Sequence, residues 1–347
     1  MRILYVGRNN GKGLIRPWLK RQQRQLLFGE QDGFFEASLY AAATVREVTW
    51  GTFVKRPTLA NQFDALVVNL KCATFASEAA RSAALSGALV AVDVPKAVFV
   101  GTAKASYMVP RELAAVCDVL YKREPFRDRA RYGLSSAEQQ KIVPTMISCP
   151  FVTLPRPTAR SRAYCVLQRQ AMPCVAQTQQ FDVGFSGAVA YTHTLRQDAW
   201  QAVQNLEVST IGGLQPNPYK REPLTDSLAG PRLVGRAYER ALCAACINLA
   251  IDGIGPYTFR HQELLYLGSF MLSYASIREL ELPMPLLEDK HYAAYETTAE
   301  LVEKVEHYLA HASDRQQIAQ AGRELFTTYY NPNNHGQQLV AALRAVA

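Results

Sequence analysis

The chain has 347 residues, 48% hydrophobic and 20% charged, which is too long for one comfortable core and suits two domains of about 150 residues each. That composition excludes a disordered or fibrous chain, and no apolar run approaches the roughly 18 residues that span a bilayer. Lys and Arg number 38 against 30 Asp and Glu, a net charge of +8, so an anionic partner is expected: nucleotide phosphate, a lipid-linked phosphate at a membrane surface, or nucleic acid.

A strand-like stretch, Ile3–Val6, follows Met1 closely without a signal-peptide pattern. The expectation is a cytoplasmic protein, with docking at the inner membrane face as a variant. Further strands are expected at Arg46–Thr49, Ala65–Asn69, Leu89–Val92 and Val116–Tyr121, and helices at Ile15–Phe28 and Ser77–Gly87. Short continuous apolar runs suit parallel strands covered on both faces, and strand–helix alternation is the pattern of an open parallel sheet. Pro144, Pro150, Pro155 and Pro157 mark residues 144–158 as a connection. Beyond it, strands are expected at Phe181–Gly187, Glu207–Ile211, Ile247–Ile251 and Phe270–Tyr274, and helices at Leu233–Cys246 and Thr258–Leu267. Thr297 with Glu300, and Ser313 with Gln316, stand at capping-box spacing ahead of apolar helical faces. Asn331-Pro332 breaks the second of these helices, and a last one can follow from His335.

The seven cysteines are scattered and odd in number, so they read as mostly buried thiols. Cys243 and Cys246 have redox-motif spacing inside a helix-like apolar run, where small core residues are the plainer reading.

Chemistry concentrates in Asn248-Leu-Ala-Ile-Asp252-Gly253-Ile-Gly255-Pro-Tyr257-Thr258-Phe259-Arg260-His261-Gln-Glu263, a strand, a glycine loop and a helix start. Glycines after a strand let backbone approach a ligand, and the amides of a helix start favour a diphosphate. Arg260 and Glu263 share one helical face, with the guanidinium suited to phosphate and the carboxylate to paired ribose hydroxyls. An exposed ion pair is the plain alternative.

The pattern Arg260-x-x-Glu263-x-x-x-x-Gly268 resembles the donor signature of GT-B glycosyltransferases, especially relatives of spore-protein CgeB and the exostosin-like enzymes. The resemblance continues through Leu287–Tyr292, the helix from Thr297, and Ile318 to Arg323, covering the last third of the chain. It implies an α/β fold of two Rossmann-like domains facing a cleft: an acceptor-binding domain over 1–160, a donor domain over 175–330, and a C-terminal helix, 331–347, returning to the first. It implies a metal-independent transferase whose co-substrate is a nucleoside diphosphate sugar, with uridine the expected base. Glu263 would hold the ribose, and Arg260 with the amides near Thr258 would face the diphosphate. Ser186, Gly187 and Arg196, after the first strand of the second domain, join Gly253, Gly255 and Tyr257 as expected donor contacts. His193 is as well read as a cap. Met271 stands where retaining enzymes carry a second glutamate, so stereochemistry stays open.

In the first domain, Arg8, Asn9, Asn10 and Lys12 lie in a loop after the first strand, and Arg16 and Lys20 on a basic amphipathic helix after it. They are the expected acceptor-side residues. An inverting enzyme needs a base there, and Asp93, taken as the end of a strand, is the first candidate, with Glu36 and the loop after the first strand as rivals. Arg127, Arg129 and Arg131, interleaved with Phe126 and Tyr132, can grip phosphates or line a sugar groove. The expected acceptor is a cell-surface glycan or lipid-linked saccharide, the alternative a hydroxymethylated base in phage-type DNA. A non-catalytic nucleic-acid-binding module is the rival of another class.

Overall fold

The computed structural model describes residues 1–8, 26–28, 30–166, 171, 174, 179–190, 193–217 and 224–347. The first half runs β1 (Arg2–Val6), β2 (Leu27–Phe28), α1 (Gly33–Ala42), β3 (Thr44–Val48), α2 (Trp50–Lys55), β4 (Ala65–Asn69), α3 (Glu78–Val90), β5 (Lys96–Val100), α4 (Arg111–Val116), β6 (Val119–Arg123), α5 (Ser136–Gln140), β7 (Ile142–Thr145), β8 (Leu154–Pro155) and α6 (Ala159–Val166). The second runs β9 (Phe181–Ala188), α7 (Leu195–Gln204), β10 (Thr210–Gln215), α8 (Gly235–Ala244), β11 (Ala245–Ala250), α9 (Phe259–Leu267), β12 (Met271–Tyr274), β13 (Ala293–Tyr295), α10 (Thr298–Ala310), α11 (Ala312–Tyr329) and α12 (Pro332–Arg344).

Two parallel sheets result, ordered β3-β1-β4-β5-β6-β7 and β10-β9-β11-β12-β13. The two-residue alternation of a strand explains the burial on both faces. Leu4 and Val6 of β1 and Leu66 and Val68 of β4 enter one core, while Ile3, Tyr5, Ala65 and Val67 enter another on the opposite face. Each fully buried Val, Leu or Ile contributes about 1.5–3 kcal/mol, so a continuous apolar run is stable only where helices cover both sides. In each sheet the chain reverses its direction of progress once, between β1 and β4 and between β9 and β11, leaving a crevice outside the carboxyl ends of those strands.

Caps set the helix limits. Ser77 accepts from the Ala80 amide before α3, Thr297 from Glu300 before α10, and Asn331 from Asn333 and Asn334 before α12, where Pro332 occupies the first turn. α12 lies on α1, the Tyr121 hydroxyl donates to the Leu339 carbonyl at 2.6 Å, and His335 Nε2 lies 3.0 Å from Thr145 Oγ1. Ser313 does not cap α11, because that helix begins a residue earlier at Ala312 and the Arg315 guanidinium binds the Tyr308 and Leu309 carbonyls that end α10.

Other expectations are corrected. Leu89 and the residue after it close α3 instead of forming a strand, since the helix capped by Ser77 is rich in alanine, continues through Gly87, and Pro95 comes only later. The strand in that place is β5. Cys243 is not a thiol but bonds Cys174, 69 residues earlier, while Cys72, Cys117 and Cys149 are buried and free. Pro144 sits on β7, the edge strand, where a missing amide is tolerated.

The two halves meet through a shared core that joins Phe34, Phe126 and Ile147 of the first to Tyr257, Leu264 and Leu280 of the second. A β-bridge pairs Phe126 with Leu280, fixed by Arg127 N to Glu279 O at 2.8 Å and Glu281 N to Pro125 O at 2.7 Å. Around it Arg129 pairs with Glu281 and Arg131 with Glu279, and the Arg131 guanidinium lies 3.6 Å from the Phe126 ring centroid. The Arg-rich segment is therefore engaged in holding the halves together, and its charge is met by carboxylates 148 and 152 residues away.

Candidate functional site

The Arg196 side chain spans the crevice between β9 and β11. Arg196, on the first turn of α7, donates through Nη1 to the Ala188 carbonyl at the end of β9 (2.7 Å) and through Nη2 to the Ile251 carbonyl just past β11 (3.2 Å). Gly187 and Gly253 flank this guanidinium. A Cβ on Gly253 would sit 3.0 Å from Arg196 Nη2 and one on Gly187 3.5 Å from Nη1, so glycine at 253 leaves the room the arginine uses.

Arg260, on the first turn of α9, donates to the Ser186 carbonyl on β9 and lies 3.6 Å from Glu263 Oε2. Its guanidinium is 5.1 Å from the Tyr238 ring centroid, and the Tyr238 hydroxyl donates to the same Glu263 oxygen. Tyr238, on α8, thus joins the two charged groups. Arg260 and Glu263 are 9% and 5% exposed, which removes the reading of a solvated helix pair.

The electrostatics are unbalanced. Burial, and then the neighbouring Arg260 charge, push Arg196 down to about 10. Burial raises Glu263, against the lowering effects of Arg260 and the Tyr238 hydrogen bond. Arg196 Nε and Arg260 Nε and Nη1 are buried without a hydrogen-bond partner among the described residues. An unmet buried donor costs about 1–3 kcal/mol, so three on two like-charged groups form a standing demand for an anion.

The loop between strand and helix supplies fewer free amides than expected. The Thr258 amide donates to His261 Nδ1 at 3.1 Å, which leaves the proton on Nε2 to be donated to Ser273 Oγ at 3.1 Å. Burial holds His261 at about 3, neutral. The two guanidiniums, more than the Thr258 amide, carry the anion-binding potential. Asp252 is occupied by Ser276, whose hydroxyl lies 2.7 and 2.8 Å from the two carboxylate oxygens. His193 Nε2 meets the Gly253 carbonyl at 3.0 Å and so braces the loop.

Two expected donor contacts serve the join between halves instead. Tyr257 is 2% exposed and stacks on His261 in the shared core, and a Cβ on Gly255 would collide with the Ala103 carbonyl, past the end of β5. In the stretch Leu287–Tyr292, Glu288 is held by Arg278 at 2.6 Å through both oxygens. A cavity of about 390 Å³ lined by Asp289, His307 and Asp314 opens at α10 and α11, away from the crevice.

On the first sheet, Arg8 lies 3.6 Å from Asp32 Oδ2, while Asn9, Asn10, Lys12, Arg16 and Lys20 lie outside the described residues. Asp93 is corrected. With α3 replacing the expected strand, it precedes β5 at the amino edge of the sheet, exposed, accepting from Asn61 Nδ2 at 2.6 Å. Glu36 is buried, bonded by the Tyr5 hydroxyl at 3.0 Å, between α1 and the sheet.

Residues 195–341 match a family model described as glycosyl transferase-like. No curated protein sequence matches the chain. Solved structures similar over the whole chain include the DNA-modifying enzyme β-glucosyltransferase, solved with and without uridine diphosphoglucose (11% identity, 99% of this chain and 100% of that one, TM-score 0.54). They also include HepE of Anabaena in complex with UDP (11%, 99% and 100%, TM-score 0.57) and sucrose-phosphate synthase of Thermosynechococcus elongatus (10%, 100% and 100%, TM-score 0.52). The chain has the GT-B fold of two Rossmann-like domains.

Proposed function

We propose that the protein is a glycosyltransferase that moves a sugar from a nucleoside diphosphate sugar to an acceptor hydroxyl. The observation that carries this reading is the pair Arg196 and Arg260, two buried guanidiniums at the crevice between β9 and β11 with three N–H groups that have no hydrogen-bond partner among the described residues. A diphosphate supplies both the charge and the acceptor oxygens they lack. Glu263, steadied by Tyr238, takes the ribose hydroxyls, and Ser186 and Gly187 border the sugar phosphate. Uridine is the proposed base, since HepE and the DNA-modifying glucosyltransferase were solved with UDP or uridine diphosphoglucose. The two arginines take the part that a metal plays elsewhere in balancing the leaving diphosphate, so the reaction is proposed to need none.

The proposed acceptor is a glycan or lipid-linked saccharide. The pairing of Arg129 and Arg131 with Glu281 and Glu279 supports this over DNA, because it takes away one of the two basic clusters that favour a polyanion. A thermal-shift panel of nucleoside diphosphates and their sugars, with EDTA present, tests the proposal on wild type and Glu263→Gln. UDP at 100 times its dissociation constant should stabilise wild type by about 2.7 kcal/mol and the variant by much less. If no nucleotide stabilises wild type while duplex DNA stabilises both proteins equally, the transferase reading fails.

A further inference from the structure

The crevice of the first sheet lies between β1 and β4. Asp32, immediately before α1, is 2% exposed and stands among four donors: Asn69 Nδ2 at 3.5 Å from Oδ2, Arg8 Nη1 at 3.6 Å from Oδ2, and Lys71 Nζ at 3.8 Å and Arg123 Nη1 at 3.9 Å from Oδ1. None approaches closely, and Oδ1 is buried without a hydrogen-bond partner among the described residues. A buried carboxylate oxygen is normally bonded. The donors come from just past β1, from the end of β4 and the residues after it, and from the end of β6, so three pieces of chain converge on one oxygen pair at the carboxyl edge.

The chain packs closely around that oxygen. A Cβ on Gly101, just past β5, would fall 2.7 Å from Asp32 Oδ1. Two residues on, Ala103 meets Gly255 of the loop that carries the donor crevice, so residues 101–103 link Asp32 directly to that loop. Arg8 and Lys71 are 33% and 30% exposed and form the rim above it.

From this geometry we infer that Asp32 is the catalytic base for the acceptor hydroxyl, seated in the first crevice opposite the donor in the second. The inference rests on the transferase reading above. The acceptor oxygen attacks the anomeric carbon, the bond from that carbon to the diphosphate oxygen breaks with its electron pair leaving on the diphosphate, and the hydroxyl proton passes to Asp32 Oδ1. A base on the acceptor side acting in one displacement inverts the anomeric centre.

Because water can stand in for the acceptor, release of glucose from UDP-glucose tests the assignment without knowledge of the acceptor. The full chain, Asp32→Asn and Asp32→Glu are compared for UDP-induced thermal stabilisation, for hydrolysis rate, and for the anomer first formed, read by proton NMR. Asp32→Asn is expected to keep the UDP shift and lose at least 100-fold in hydrolysis, Asp32→Glu to retain part of the rate, and wild type to release β-glucose from the α-linked donor. Hydrolysis by Asp32→Asn at the wild-type rate, or first release of α-glucose, overturns the inference. So does a wild type that binds UDP yet leaves UDP-glucose intact, since a poised base would act on water too. A wild type that binds no nucleotide overturns the transferase reading instead.

Discussion

Replacing Arg196 with Gln separates the cost of that side chain in the free protein from its value in the complex. Burial and the Arg260 charge lower Arg196 from 12.5 to about 10, and at 1.36 kcal/mol per unit the charged form carries about 3 kcal/mol of penalty. Against this stand two hydrogen bonds to the Ala188 and Ile251 carbonyls, together worth about 1–3 kcal/mol. The two nearly cancel, so the free variant should unfold within about 2 kcal/mol of wild type. Bound UDP loses one or more charge-assisted bonds at about 1.5–3 kcal/mol each, which weakens binding about 10- to 100-fold or more. At a UDP concentration 100 times the wild-type constant, a 100-fold loss cuts the stabilisation from about 2.7 to about 0.4 kcal/mol. Urea denaturation with and without UDP reads both quantities. A variant that loses far more than 2 kcal/mol without ligand and keeps the full UDP response would refute the argument, because Arg196 would then be a structural brace.

Three further outcomes follow from particular contacts. Glu36 is raised from 4.5 to about 7 by burial, then by Asp32 and Glu47; a carboxyl whose folded value exceeds its unfolded one lends stability at low pH that is lost as pH rises from about 4.5 through 7. Glu36→Gln should match wild type near pH 4.5 and exceed it above pH 7 by up to about 3 kcal/mol, and equal pH profiles would contradict this. Gly255→Ala drives a methyl into the Ala103 carbonyl, and urea denaturation should show a loss of about 1–3 kcal/mol; an unchanged midpoint would mean the halves do not meet there. Reduction of Cys174–Cys243, which closes a loop of 69 residues, should cost about 2–4 kcal/mol in thermal unfolding, and no effect of reductant would argue against the bond.

Local order was readable from the residues, long-range pairing was not. The strand, glycine loop and helix around Gly253, Arg260 and Glu263 announce themselves because turn, cap and helical face all lie within a short run of sequence. α3 misled for a local reason as well: Leu89 to Val92 is as apolar as a buried strand, and only the unbroken helix before it shows which element wins. That single error carried Asp93 to the wrong edge of the sheet. Tyr238 was missed because its partner Glu263 lies on another helix, 25 residues away. Asp32 was missed because a carboxylate before a helix reads as a cap, and the lysine and arginines facing it come from separate strand ends. Arg129 and Arg131 read as a free basic cluster until the bridge at Phe126 and Leu280 brings Glu279 and Glu281 against them.

Titration calorimetry of the full chain with UDP, beside Arg260→Met, tests the central claim most directly. One UDP per chain on wild type, with binding weakened at least 100-fold in a folded Arg260→Met, is the result this account predicts. Absence of UDP binding by wild type, or equal binding by the two proteins, would contradict it.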